Sequence, residues 1–156
     1  MILLRGVSGS GKSTRAELLK DQLKFHTGID AVVCSADSFR HTGPNGEYVF
    51  DASMNGVVHA MAQEKAKKAI EDNKHVISDN TNTLQWEMDK YIKMAKEAGY
   101  EIYQCFSHGM LDKDDIDLYT ERNLHHVPRE AIVKQYRKLL KDKQFGSSVG
   151  ELIPLK

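Results

Sequence analysis

At 156 residues the chain is the size of one ordinary domain, and its 40% hydrophobic, 28% charged composition excludes a disordered one. Its 22 basic residues balance 22 acidic ones, which excludes a histone-like basic field over the whole surface. No apolar run approaches the roughly 18 residues of a membrane span, and two cysteines cannot build a disulfide framework or a four-cysteine zinc site. Met1–Gly6 is too short for the apolar region of a leader and has no basic lead-in, so a single intracellular, cytoplasmic domain over residues 1–156 is expected.

In chain order, Ile2–Arg5 reads as a short buried strand, followed by a Gly-rich turn and a helix from Lys12 to about Lys24. Asp30–Ala36 is a second strand, and Gly43-Pro44-Asn45-Gly46 is the strongest turn signal. From Asp51 to Asp72 apolar side chains recur every three or four residues, which predicts a long amphipathic helix. His75–Asp79 reads as a third strand, Thr83–Ala98 as a helix stopped by Gly99, and Tyr100–Phe106 as a fourth strand. A polar helix near Asp112–Leu124, a break at Val127-Pro128 and a last helix from about Arg129 follow, and the tail from Phe145 shows no period. Alternating strands and helices predict an α/β three-layer fold: a parallel sheet of four or five strands with helices on both faces, and a helical lid over about 107–129. In such sheets ligands gather at the carboxyl ends of the strands.

The turn after the first strand, Gly6-Val7-Ser8-Gly9-Ser10-Gly11-Lys12-Ser13, matches G-x-x-x-x-G-K-[ST] at every fixed position, with Thr14 next. Glycines let the backbone curl so that its N–H groups point at phosphate oxygens, and the following helix adds the positive end of its dipole. Here Lys12 is expected to reach the β- and γ-phosphates of a nucleotide, and the Ser13 hydroxyl to complete a Mg2+ shell. Strand two runs into Ser35-Ala36-Asp37-Ser38-Phe39-Arg40. Asp37 is placed to accept the proton of an attacking hydroxyl, or simply to cap a short helix, and Arg40 to fork onto a substrate phosphate. Strand three ends on Asp79, a carboxylate for magnesium or the substrate side, and opens Asn80-Thr81-Asn82-Thr83.

Arg122 and Arg129 flank Leu124-His125-His126-Val127-Pro128 in a polar stretch that reads as a mobile lid or as a solvated helical hairpin. Adjacent His125 and His126 cannot face one metal from one helix side. Lys134, Arg137, Lys138 and Lys141 form a basic helical stripe, either a solvated face or a nucleic-acid backbone contact. Trp86 reads as a packing residue rather than a base-stacking platform, and Cys34 and Cys105 as small core residues.

Taken together, the motifs at Gly6–Thr14, 35–40, 77–82 (Ile-Ser-Asp-Asn-Thr-Asn) and 121–128 (Glu-Arg-Asn…Val-Pro) resemble the 5′-hydroxyl kinase domain of phage polynucleotide kinases and their P-loop relatives. The resemblance implies ATP and Mg2+ at Lys12 and Ser13, Asp37 as general base, Arg40 on the acceptor-side phosphate, Asp79 in the polar network and Arg122 in the lid. It also implies a nucleic acid with a 5′-hydroxyl end as partner. The chain departs from that pattern before Val-Pro: Leu124-His125-His126 stands where the phage kinases carry a longer segment and a second arginine, and Arg129 is its alternative. A kinase for a small molecule or modified nucleoside, and a nucleotide-binding regulatory module, remain the other readings. On the polynucleotide reading, Arg40 and the basic stripe predict activity that falls steeply with salt.

Overall fold

A computed structural model describes residues 1–146 and 148–156. Strand β1 (Ile2–Arg5) is central in a sheet ordered β2-β3-β1-β4-β5, where β2 is Ala31–Cys34, β3 His75–Ser78, β4 Tyr103–Phe106 and β5 Ile153–Pro154. The first four strands run parallel. β5 is antiparallel to β4, pairing Gln104 with Ile153, so the expected all-parallel sheet is in fact mixed. A two-residue strand carries no readable alternation, which is why the tail showed no signal.

Alternation along the parallel strands explains the layers. Leu3, Cys34 and Val76 point to one face, where they meet helices α2 (Asn55–Glu71) and α3 (Asp89–Glu97) through Ala66, Ala69, Tyr91 and Ala95. Ile2, Leu4 and Ile77 point to the other and meet Ala16 and Leu19 of α1 (Lys12–Thr27). Each fully buried leucine, isoleucine or valine among them contributes about 1.5–3 kcal/mol. A third cluster joins Val7 and Phe106 to Ile116 of α4 (Lys113–Arg122) and Ile132 and Leu139 of α5 (Arg129–Leu139), seating these two helices beside the first turn. Cys34 and Cys105 are buried in these clusters, and burial pushes the Cys34 thiol up to about 11, which leaves it unreactive.

Local polar chemistry moves several element ends. The Asp51 carboxylate accepts from Ser53 N at 2.8 Å and caps a 3-10 turn, so the expected 51–72 helix begins at Asn55. Glu87 accepts from the Leu84 N–H at 3.0 Å and from the Thr83 hydroxyl at 3.1 Å. The resulting 3-10 turn over Gln85–Glu87 delays the helix expected from Thr83 until Asp89. Gly99 lies past the end of α3 at φ 73°, and Tyr100 N donates to Ala95 O to close that helix, which holds the start of β4 back to Tyr103.

Candidate active site

The order of the sheet puts the turns after β1, β2 and β3 along one edge, with the lid helices next to the first. Helix α1 begins at Gly11 with no side-chain cap and no acid in its first turn, so its positive end is left open to an anion. The glycines are required by space as well as by conformation: a Cβ on Gly9, at φ 78°, would collide with Tyr119 O, and one on Gly6 with Ser107 Oγ. These features fit a triphosphate cradle. Lys12 Nζ donates to Val7 O at 2.7 Å. Burial pulls its ammonium down to about 8, and the charges of Asp79 and Asp37 oppose that fall.

Side chains distant in sequence hold the loop. His108 Nε2 accepts from Val7 N at 3.0 Å while Nδ1 faces Gly109 O at 2.8 Å, which assigns the proton to Nδ1. Gln135 of α5 accepts from Ser8 N at 2.8 Å and donates to Ser8 Oγ at 3.1 Å. Ser10 and Ser107 share a hydroxyl–hydroxyl bond of 2.6 Å. No sequence motif flags His108, Gln135 or Ser107. For His108 and Ser107 the one available signal was their position directly after a strand.

His108 makes the loop sensitive to acid. Burial holds its ring below the ordinary 6.5, outweighing the hydrogen bond to Gly109. The unfolded chain therefore takes up the proton first, and stability falls as pH drops below 6.5 until the folded ring also titrates. The thermal midpoint of the wild type should fall more across that window than that of His108→Gln, in which this titration is gone.

Beyond the loop, Ser13 Oγ donates to Asp79 Oδ2 at 2.7 Å. Burial raises the Asp79 carboxyl, opposed by that hydroxyl and by the charge of Lys12. Neighbouring oxygens around an octahedral magnesium at about 2.1 Å lie about 3 Å apart, a spacing that the Ser13 and Asp79 oxygens match. Few protein ligands are needed, since nucleotide-bound magnesium takes one or two and completes its shell with phosphate and water. Among the described residues no group of three or more His, Cys, Asp or Glu side chains could hold a metal alone, and none forms at His125-His126.

Asp37 opens a short 3-10 turn and lies on the wall of a cavity of about 1040 Å3 that also reaches Ser8 of the loop. Its Oδ1 accepts from Tyr48 OH at 3.0 Å and lies 3.3 Å from Arg40 Nε, while Oδ2 lies 3.8 Å from His125 Nε2. The Tyr48 and His125 rings stack at 4.0 Å, bringing the lid turn against the acid. Burial, followed by the Asp37 charge and hydrogen bond, raises the Tyr48 phenol, so it stays a donor.

Arg40 is only 5% exposed, its guanidinium shared among Asp37, Asp51 O and Asn55 Oδ1 and lying 4.8 Å over the Phe50 ring. It lines the cavity as a braced wall, not as the free fork expected. Arg122 Nε donates to Gly9 O and lies 4.5 Å over Tyr119, touching the phosphate loop, whereas Arg129 pairs with Asp117 of α4. Asn123 staples the lid turn, donating to Thr120 O at 2.7 Å and accepting from Val127 N at 2.6 Å. The basic stripe 134, 137, 138 and 141 is exposed and outside the cavity lining. Trp86 is 66% exposed and lines the cavity, which corrects its reading as a packing residue.

Comparison with known proteins gives the family and the fold. The AAA domain family matches residues 1–108, which carry the cradle, Asp37 and Asp79. The chain belongs to this family. It is 32% identical over 135 residues to NEDD4-binding protein 2 of Homo sapiens, covering 86% of this chain and 7% of that protein. It is 27% identical over 122 residues to the cytidine diphosphoramidate kinase of Campylobacter jejuni, covering 78% of this chain and 69% of that one. Its fold superposes on a chain of the Pnkp1/Rnl/Hen1 RNA repair complex with a TM-score of 0.70 at 21% identity, over 98% of this chain and 47% of that one. The domain thus spans a small part of the human relative and about half of the chain it matches in the repair complex.

Proposed function

We propose that this P-loop kinase domain transfers the γ-phosphoryl group of ATP to the 5′-hydroxyl end of DNA or RNA. The observation that carries the reading is the Asp37 carboxylate, set in the wall of a cavity continuous with the phosphate loop. One of its oxygens is engaged by Tyr48 and Arg40, and the other lies beyond direct hydrogen-bond reach of His125.

In this reading the acceptor hydroxyl enters the cavity and gives its proton to Asp37 Oδ2 as its oxygen attacks the γ-phosphorus. The new O–P bond forms as the bond to the β,γ-bridging oxygen breaks, and ADP leaves with that electron pair. The Lys12 ammonium, the open N–H groups of α1 and the Arg122 guanidinium offset the charge on the transferring group, so positioning and electrostatics supply the catalysis. Magnesium, held by Ser13 and Asp79, supplies further neutralisation of the phosphates when bound. Tyr48 and Arg40 fix the acid's orientation. The similarity to the RNA repair complex, and the order of the motifs at 35–40, 77–82 and 121–128, support a polynucleotide end as acceptor.

The test is a panel of acceptors incubated with γ-labelled ATP: 5′-hydroxyl DNA and RNA oligonucleotides, free nucleosides, and cytidine diphosphate derivatives. Label is expected on the oligonucleotide 5′ end. Label on a small acceptor alone would transfer the assignment to that class. ATP binding without transfer to any hydroxyl would make the domain a regulatory nucleotide-binding module.

A further inference from the structure

Trp86 is the sole tryptophan, and two-thirds of it stands exposed on the wall of the cavity that holds Asp37. Tryptophan is highly buried on average, so one that stands two-thirds exposed calls for a reason. Loop mobility does not supply one, since the turn beneath it is anchored twice. Glu87 binds back to Leu84 N and the Thr83 hydroxyl, and Asn82 donates to Leu4 O at 2.7 Å while its own carbonyl accepts from the buried Arg5. The ring is therefore presented on a rigid support. Phe50, 62% exposed with Arg40 against its ring, lies on the wall of the same cavity.

The charge of the cavity points the same way. Its fixed cations are Arg40, already shared among three partners, and Lys90, with three histidines (His59, His125 and His126) beside them; its acids are Asp37 and Glu87. A wall so balanced has little with which to grip a phosphate backbone, and the basic stripe lies elsewhere. What it offers beside the general base is an exposed aromatic surface. Nucleobases stack on such surfaces whatever their identity, because every base has a π-face.

We propose that Trp86 is a stacking platform for the terminal nucleobase of the acceptor strand, orienting the 5′-hydroxyl toward Asp37. The inference rests on the 5′-hydroxyl kinase reading above. It replaces the steep salt dependence expected from Arg40 and the stripe with a shallow one, and it makes recognition tolerant of sequence.

Because no other tryptophan contributes, emission excited selectively at indole reports on this position alone. Titration with a 5′-hydroxyl oligonucleotide should quench it saturably, and an oligonucleotide with an abasic 5′ terminus should not. Trp86→Ala should raise the KM for the oligonucleotide about five- to a hundredfold with the KM for ATP unchanged, and Trp86→Phe should recover most of that loss. Wild type and Trp86→Ala should differ little on the abasic substrate. Unquenched emission at oligonucleotide concentrations that saturate transfer, or an unchanged KM in Trp86→Ala, would overturn the platform and leave the kinase reading standing. Absence of transfer to any oligonucleotide would overturn both.

Discussion

Asp37→Asn is expected to slow phosphoryl transfer on the order of 10² to 10⁴-fold, the usual contribution of a positioned general base, with ATP affinity kept. Asparagine preserves the shape of the side chain and can still accept from Tyr48 OH through its amide oxygen, so the fold and cavity should survive. It cannot take the proton of the attacking hydroxyl. Single-turnover transfer measured beside equilibrium ATP binding separates the two effects. A variant that transfers at near wild-type rate would leave Asp37 as no more than a cap for its own short turn.

The second large effect concerns a residue that appeared in the sequence as the unremarked end of a strand. Arg5 is completely buried, with Asp142 as its carboxylate partner. It also donates to Gln104 Oε1 at 2.9 Å and Asn82 O at 2.8 Å, lies 3.4 Å from Thr83 O and packs 4.9 Å from the Phe106 ring centre. Removing one partner of a buried pair strands the other charge, and Asp142→Ala should cost about 3 kcal/mol in denaturant unfolding. Asp142→Asn, which keeps an acceptor, should cost less. Burial alone would raise the Asp142 carboxyl, but the hydrogen bonds from Arg5 and Gln144 N, with the Arg5 charge, hold it below the ordinary 3.8. Its contribution is therefore complete above that value and is lost as pH falls through the depressed one, so the alanine variant should show a shallower acid transition. The Arg5 side chain ties the Asn82-Thr83 turn and the chain beyond α5 to the strand that launches the phosphate loop, so loosening it should also lower activity.

These cases show what could be read in advance. The phosphate loop was legible because its eight residues are contiguous and its chemistry is local. The strands before Asp37 and Asp79 were legible because short apolar runs end on acids. The supports were not: His108 meets Val7 across 101 residues and Gln135 meets Ser8 across 127, and no local pattern records such pairs. Tyr48 lies only 11 residues from Asp37, but within a turn-rich segment whose path cannot be read from periodicity. Trp86 and Arg40 were misjudged for opposite reasons. The tryptophan was expected to pack inside a helix running from Thr83, whereas Glu87 holds a 3-10 turn there; Arg40 was expected to fork onto a substrate phosphate, whereas Asp51 and Asn55 occupy it.

The most direct measurement is a crystal structure with a non-hydrolysable ATP analogue and a short 5′-hydroxyl oligonucleotide. The triphosphate should be wrapped by Gly6–Ser13, with Asp37 Oδ2 within hydrogen-bond distance of the 5′-hydroxyl oxygen. That oxygen should lie about 3–3.5 Å from the γ-phosphorus, the reach needed for in-line attack. A nucleotide seated outside the loop, or an Asp37 carboxylate turned away from a correctly bound γ-phosphate, would contradict it.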